Sequence, residues 1–280
     1  YINVFCNSKG ATNDFLFFDP KEANPKLFTY YEYPQVKDYL SMMKRWNEKG
    51  FFSKSALSDT DATKTQNGVA ATRLHNIDTY GGYYSMHPEW NFKFADFVKY
   101  EAHLPYTQDA LAISHTSKNP ERALAFWNLV TTDREVYDAF YFGVLGTSYE
   151  LDDKGRFTLL DTNNYNTSAM WAVRTNELHR MDAKYPDSYE TLRKEWEEKI
   201  KADDTAEKFS SFIIDTSKIE TEYAACNSVH QQYWWPLELG YTDIDKGLAE
   251  YEAKMKAAGV DKVRAEIQRQ LDEYVAGLGK

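Results

Sequence analysis

Apolar positions three and four residues apart dominate this chain. Val36, Tyr39, Leu40, Met43 and Trp46 recur at helical spacing and predict a helix that Pro34 opens and Gly50 stops. The stretch "KNPERALAFWNLVTTDREVYDAFYFG" predicts two consecutive helices. Asn119 can cap the first, with Pro120 at its opening position, Glu121 at the positive end of its dipole, and Ala123, Trp127 and Val130 on one face. Thr132 and Glu135 read as a capping box for the second, with Val136, Phe140 and Tyr141 inward and Gly143 at its end. Beyond these, "MWAVRTNELHRM" and "SYETLRKEWEEKIKADD" are helical in period. A further helix is expected from Ser217 to Trp235, ended by Pro236, which has no N–H for the helical ladder. Ile244, Leu248, Tyr251 and Met255 form a penultimate stripe, and Val263, Ile267, Leu271 and Tyr274 the last.

Period-two runs are fewer and shorter. "INVF", "DFLFF" and "KLFTYYEY" are β-like and separated by Gly, Asn and Pro signals. Asn67-Gly68 predicts a turn into "VAATRL", a short strand leading to a polar loop, "HNIDTYGGYY". "SYELDDKGRFTLL" alternates on both sides of Asp-Lys-Gly and predicts a β-hairpin. The pattern as a whole is α/β with a mainly helical C-terminal region, without repeats or low-complexity tracts.

Composition narrows the function classes. A chain of 280 residues can bury one large core or two small ones. Its net charge of −10 is a poor match to nucleic acid or an anionic membrane surface, both of which call for clustered Lys and Arg. No run of 18 apolar residues is present to cross a bilayer. Cys6 and Cys226 lie far apart and fit either one disulfide or two buried thiols. The first residue is Tyr1 rather than Met, so the chain is expected to be processed or excised from something longer.

Aromatic residues are abundant: 21 Tyr, 16 Phe and 7 Trp, together 16% of the chain. Tyr and Trp pair a flat apolar face with a polar handle, which suits sugar rings as well as cores. In "QYWWPLELGY", Trp234 and Trp235 are neighbours, and adjacent helical residues point about 100° apart, so the two are not expected to face one core. Catalytic motifs are not evident. Pairs such as Asp152-Asp153 and Glu197-Glu198 arise from charge density among 43 carboxylates and do not identify glycosidase chemistry. G-x-S-x-G, P-loop, G-x-G-x-x-G and C-x-x-C strings are missing, and no two histidines are spaced H-x-x-x-H. "DIDKG" begins like a calcium loop, but Lys254 stands where a bidentate Glu is required, so it reads as a helix start. No cofactor or metal is expected.

The strings "KNPERALAFWNLVTTDREVYDAFYFGVLGTSYEL" and "ELGYTDIDKGLAEYEAKMKAAGVDKVRAEIQRQLDEYVAG" resemble the C-terminal region of extracellular solute-binding lipoproteins of Gram-positive ABC sugar importers. The subfamily is the oligosaccharide type with a formerly uncharacterised C-terminal domain, and the resemblance runs from about Pro34 to the end. It implies a fold similar to maltose-binding protein, with two α/β lobes whose cleft closes on a sugar. Residues 1–150 would then hold an α/β lobe segment with the inter-lobe crossing, and 151–280 the hairpin and a helical C-terminal domain. Such proteins begin with a lipidated cysteine and are longer than this chain, so the lipobox and much of the N-terminal lobe are expected to be missing. No apolar leader stands before Cys6 in these residues, so it is not expected to be a lipobox cysteine. The implied partners are an oligosaccharide and the transmembrane subunits of an ABC permease. The implied location is the cell surface, with membrane contact only through the lipid anchor.

A sugar cleft needs stacking rings beside polar side chains that can exchange hydrogen bonds with hydroxyls. "RLHNIDTYGGYY" offers Arg73, His75, Asn76, Asp78, Tyr80 and Tyr83 after the expected strand, where open α/β sheets place ligands; a solvated loop with turn glycines is the plainer alternative. "NYNTSAMWAVRTN" offers Trp171 among Asn166, Arg174 and Asn176, or else a core tryptophan. Relatives carry Gly-Asn after this Trp where this chain has Ala-Val-Arg, which puts the contacts beyond Trp171 in question. Of Trp234 and Trp235, one is assigned to sugar and one to packing. Two functions of different class follow: a binding protein that captures an oligosaccharide, or a glycoside hydrolase. A surface interaction module is a third.

Overall fold

The computed structural model describes residues 15–19, 21–73, 75, 77–95, 111–165, 175, 177–201, 208–209 and 211–278. The described residues up to Ala62 and from Lys199 onward form one compact unit, and those from Thr63 to Glu198 form another. The expected division at 150/151 falls inside a strand of the second unit. A hairpin closes on itself through its ladder, so it is a poor place for a chain to part into domains.

In the first unit, Phe17 and Phe28 exchange both backbone hydrogen bonds at 2.8 Å and make an isolated antiparallel bridge. Phe18 is in a bridge as well, but among the described residues neither run forms a strand. At Thr29 both the backbone N–H and Oγ1 donate to Glu32 Oε2, at 2.8 and 3.0 Å, and this local pairing turns Tyr30–Glu32 into a 3₁₀ turn. "INVF" lies outside the described residues. Helix α1, Val36–Glu48, follows with Val36 and Leu40 buried, and Gly50 beyond it takes φ +76°.

The C-terminal part supplies most of this unit's core. The expected single helix before Pro236 is three pieces. These are an α-helical run Glu220–Val229, a π-helical turn His230–Trp234, and a short helix Trp235–Glu238 that carries Pro236 in its first turn. Proline has no N–H to give to the preceding turn, and the π register directly before it lets the chain continue helically instead of stopping. Gly240, at φ +74°, then brings the chain against α1: a Cβ there would lie 2.6 Å from Lys44 Cα. Helix Ile244–Ala257 opens at Asp243, whose carboxylate accepts from the Lys246 N–H at 3.0 Å, as the helix-start reading of "DIDKG" requires. Leu248, Tyr251 and Met255 on this helix, and Val263, Ile267 and Leu271 on the last, Val260–Gly277, are buried in one cluster with Phe15, Leu40 and Trp234. The two expected stripes are its centre.

Near its start the second unit holds "VAATRL" and "HNIDTYGGYY", and here the sequence reading is corrected. Residues 69–73 are irregular, with Val69 72% exposed, and the polar loop is a helix, α2, Ile77–Met86. Helices α3, Pro120–Thr132, and α4, Arg134–Tyr141, match the expected pair. The cap of α4 is Asp133 rather than Thr132: its Oδ1 accepts from the Glu135 and Val136 N–H groups at 2.9 and 3.0 Å. Thr132 instead donates back to the Asn128 carbonyl at 2.6 Å. The inward face of α4 is Tyr137, Asp138 and Tyr141, whereas Phe140 is 44% exposed.

Strands β1, Tyr149–Leu151, and β2, Phe157–Leu159, form the expected hairpin in the register Tyr149↔Leu159. Phe157 and Phe142 pack at 4.6 Å in a small core with Tyr137, Tyr141, Tyr149 and Leu178. Arg180 closes the hairpin onto α4. It makes a two-pronged ion pair with buried Asp138 at 2.9 and 2.7 Å and donates to the Gly155 carbonyl at 3.3 Å. Helix α5, Asp187–Lys201, matches most of "SYETLRKEWEEKIKADD". Of "MWAVRTNELHRM", the described end, 177–181, is a two-residue turn followed by irregular chain rather than helix, and 170–174 and 176 lie outside the described residues. No helix among the described residues is long and apolar enough to cross a membrane.

Candidate functional site

Helix α2 carries a glycine pair that disfavours helix by about 1 kcal/mol per residue relative to alanine. Packing against α5 overrides that preference. A Cβ on Gly81 would lie 2.6 Å from the Tyr185 ring, so only glycine admits this contact, and Tyr185 and Tyr189 stand edge to face at 4.8 Å behind it. Buried Tyr189 donates its hydroxyl to Asp78 Oδ1. Burial, reinforced by the Asp78 carboxylate, pushes the Tyr189 phenol well above its ordinary range and keeps it a neutral donor. Asp78 therefore docks α2 onto α5. Tyr80 extends the same joint, its hydroxyl 3.1 Å from Ser188 Oγ and its ring 6.0 Å from Phe94.

The other residues expected from "RLHNIDTYGGYY" divide by exposure. Tyr83 is buried, accepts from Arg73 Nη1, and has the guanidinium over its ring at 5.7 Å. It is a packing ring, not an open platform, while Arg73 itself is exposed. His75 is exposed, with Nδ1 2.5 Å from Thr79 Oγ1. Asn76 and Trp171, with Asn166, Arg174 and Asn176, lie outside the described residues.

An aromatic row that the sequence reading passed over continues from Tyr83. Phe92 lies 5.8 Å from Tyr83, Trp90 lies 5.7 Å from Phe92, and the His87 ring stacks on Trp90 at 3.8 Å and 5°. Trp90 remains 41% exposed. Its benzo edge lies against Gly68, where a Cβ would come within 3.0 Å, and the left-handed Asn91 at φ 51° ends the turn that presents it. His87 Nδ1 is 3.2 Å from Glu89 Oε1. The second unit thus offers a held indole surface at one end of the row and an exposed guanidinium at the other. The signal in sequence was Pro88, a helix-opening residue that sets the following Trp90 on a single turn.

In the first unit the two neighbouring tryptophans separate. Trp234 is 1% exposed and stacked on Tyr30 at 3.9 Å and 15°, so it is the packing residue of the pair and leaves the ligand candidates. Trp235 is 46% exposed. Behind them His230 is buried, its Nδ1 2.8 Å from the Tyr251 hydroxyl, and burial lowers it to about 4. Cys226 is a buried free thiol pushed up to about 12 by burial, whereas Cys6 lies outside the described residues. Among the described residues no group of three or more His, Cys, Asp and Glu is placed to hold a metal ion.

Comparison with known proteins gives these residues a context. Residues 208–276 match a domain of unknown function, DUF3502. Over 264 residues the chain is 26% identical to a carbohydrate ABC transporter substrate-binding protein of Streptococcus pneumoniae serotype 4. That alignment takes in 89% of this chain and 52% of the other, so the chain spans about half the length of this curated relative. Among solved structures it is similar to NgtS, the N-glycan transport solute binding protein of S. pneumoniae, with TM-score 0.73 over 98% of this chain and 61% of that one, at 22% identity. The complexes of NgtS with Man1GlcNAc and Man5GlcNAc give TM-scores of 0.70 and 0.65, over 95% and 94% of this chain. The chain carries a solute-binding-protein fold. It is the fold that the two strings implied, and the partial coverage of the longer relatives agrees with a C-terminal portion of it. The named relatives are substrate-binding proteins rather than enzymes.

Proposed function

We propose that this chain is part of a protein that captures an oligosaccharide outside the cell and passes it to the transmembrane subunits of an ABC permease, with no bond made or broken. The observation that carries the reading is the solute-binding fold shared with an N-glycan transport protein, beside the sequence similarity to a carbohydrate ABC transporter substrate-binding protein. The ligand class is then an oligosaccharide, and anchoring to the cell surface by a lipid belongs to the portion of the protein outside these residues. In the second unit the residues assigned to sugar are the exposed Arg73, His75 and Trp90 with the half-buried Tyr80, and in the first unit, taken by itself, the exposed Trp235. A flat indole face suits the C–H side of a pyranose, and Arg73 and His75 supply hydrogen-bond partners for its hydroxyls. Asn76 and Trp171 remain assigned to the ligand on the sequence reading alone.

The test is a melting-temperature screen against oligosaccharides, with mannose- and GlcNAc-containing ones first, paired with an assay for reducing ends. A binder's melting temperature rises with ligand concentration, by linkage, and the sugar is recovered whole. New reducing ends that a single Asp or Glu to Ala change abolishes would favour the hydrolase instead. The absence of any shift across the panel would reject sugar capture.

A further inference from the structure

The turn at Asn67-Gly68 holds two groups that can react with each other. It is the one Asn-Gly step in the 280 residues. Asn67 is exposed, and Gly68 has no Cβ to keep its backbone nitrogen away from the carboxamide carbon before it. The turn restrains both groups. Asn67 Nδ2 donates to Thr63 Oγ1 at 2.9 Å, and the Gly68 N–H donates to the carbonyl of buried Thr65 at 3.2 Å. Further backbone bonds run from Asn67 to Thr63 at 3.0 Å, and from Val69 and Ala70 to Lys64 at 2.8 and 3.1 Å. Trp90 lies against the same glycine, where a Cβ would come within 3.0 Å of its ring.

We propose that Asn67-Gly68 is a site of spontaneous backbone rearrangement, held in check by Thr63, whose product displaces the seat of Trp90. The Gly68 nitrogen attacks Asn67 Cγ, and the new C–N bond closes a succinimide ring. The carboxamide nitrogen leaves as ammonia, taking the proton that the Gly68 nitrogen gives up. Water then opens the ring at either carbonyl, to leave aspartate or isoaspartate, and no oxidant, metal or second protein is consumed. The attack needs a carboxamide that can turn and a Gly68 nitrogen that can shed its proton. The bonds to Thr63 Oγ1 and the Thr65 carbonyl oppose those two needs in turn. In isoaspartate the main chain runs through Cβ and is longer by one C–C bond, about 1.5 Å. A turn closed by this many hydrogen bonds cannot take in that length and also keep Gly68 against the indole. The inference concerns the chain's own chemistry, so failure to bind sugar leaves it standing.

Ageing the protein at mildly alkaline pH tests it, with peptide mass spectrometry to follow conversion at Asn67 and isoaspartyl methyltransferase to score isoaspartate. The chain denatured in urea sets the unrestrained rate. Conversion at Asn67 is expected to be several-fold slower in the folded protein than in urea, several-fold faster in Thr63→Val than in the parent, and unchanged in Thr63→Ser, which keeps the hydroxyl. Asn227, inside the helical run Glu220–Val229, is the control for general unfolding and should convert equally slowly in all three folded forms. Hydrogen exchange is expected to rise in peptides covering 63–70 and 87–91 of the isoaspartate form, and not in Asn67→Asp, whose main chain keeps its length. Equal rates in Thr63→Val and the parent would overturn the inference, as would acceleration shared by Asn227, or a Thr63→Val chain in which Asn67 never converts. Unchanged exchange at 87–91 in the isoaspartate form would overturn the link to Trp90.

Discussion

Adjacent residues on a helix point about 100° apart, and at Trp234 and Trp235 that rotation separates a core ring from a surface ring. Removing a buried tryptophan costs roughly 3–5 kcal/mol, so Trp234→Ala is expected to lower the urea midpoint severely. Trp235→Ala, at a site 46% exposed, is expected to cost under about 1 kcal/mol and to weaken oligosaccharide binding several-fold. Denaturation and calorimetry on the pair check both, and a large stability loss at Trp235 would move it into the core. His230 gives a pH prediction of definite sign. Its folded value of about 4 lies below the unfolded 6.5, so the unfolded chain binds the proton more readily. This contribution is therefore complete above pH 6.5 and declines as pH falls toward 4. At 1.36 kcal/mol per unit the loss reaches about 3 kcal/mol. The rings around it, Phe15, Tyr30, Trp234 and Tyr251, carry no charge to offset the effect. His230→Phe should flatten the slope of stability against pH between 6.5 and 4, and an unchanged slope would contradict the assignment.

At the scale of elements, the helices read from sequence include those whose apolar stripe and end signals agree, among them Val36–Glu48, Pro120–Thr132, Ile244–Ala257 and Val260–Gly277. Those misread depend on distant partners. Gly81-Gly82 argues locally for a loop, and the reason α2 exists is a tyrosine more than a hundred residues away. Gly81→Ala should therefore destabilise by roughly 1–3 kcal/mol through the Tyr185 clash, despite alanine's better helix propensity. A stabilised variant in thermal melts would show that the contact yields. Pro236 is likewise a stop by local rule, overridden by the π turn before it. The Asp138–Arg180 pair joins α4 to the hairpin with side chains only 11% and 17% exposed. Arg180→Leu leaves a carboxylate buried without its main partner and should cost on the order of 3 kcal/mol, which a urea titration would detect.

For the whole molecule, the solute-binding fold was legible only through the resemblance of two strings of residues to a known family; caps and stripes predicted individual helices but not how they assemble. The division into units was not legible. Periodicity says which face of a segment is buried but not against which other segment, so a first unit that takes in residues from both ends of the chain gave no local sign. The same limit hid Trp90, whose exposure depends on how His87, Phe92 and Gly68 surround it, and left Tyr83 and Trp234 as candidates although both are packed. The central claim is capture of an oligosaccharide without chemistry. It is met most directly by calorimetric titration of a mannose–GlcNAc oligosaccharide into the protein in its natural reading frame, followed by mass spectrometry of the recovered sugar. The account predicts saturable binding, weakened several-fold by Trp90→Ala or by Trp235→Ala, with the sugar recovered at its original mass. Heat of binding that neither substitution changes, or a sugar recovered in pieces, would contradict it.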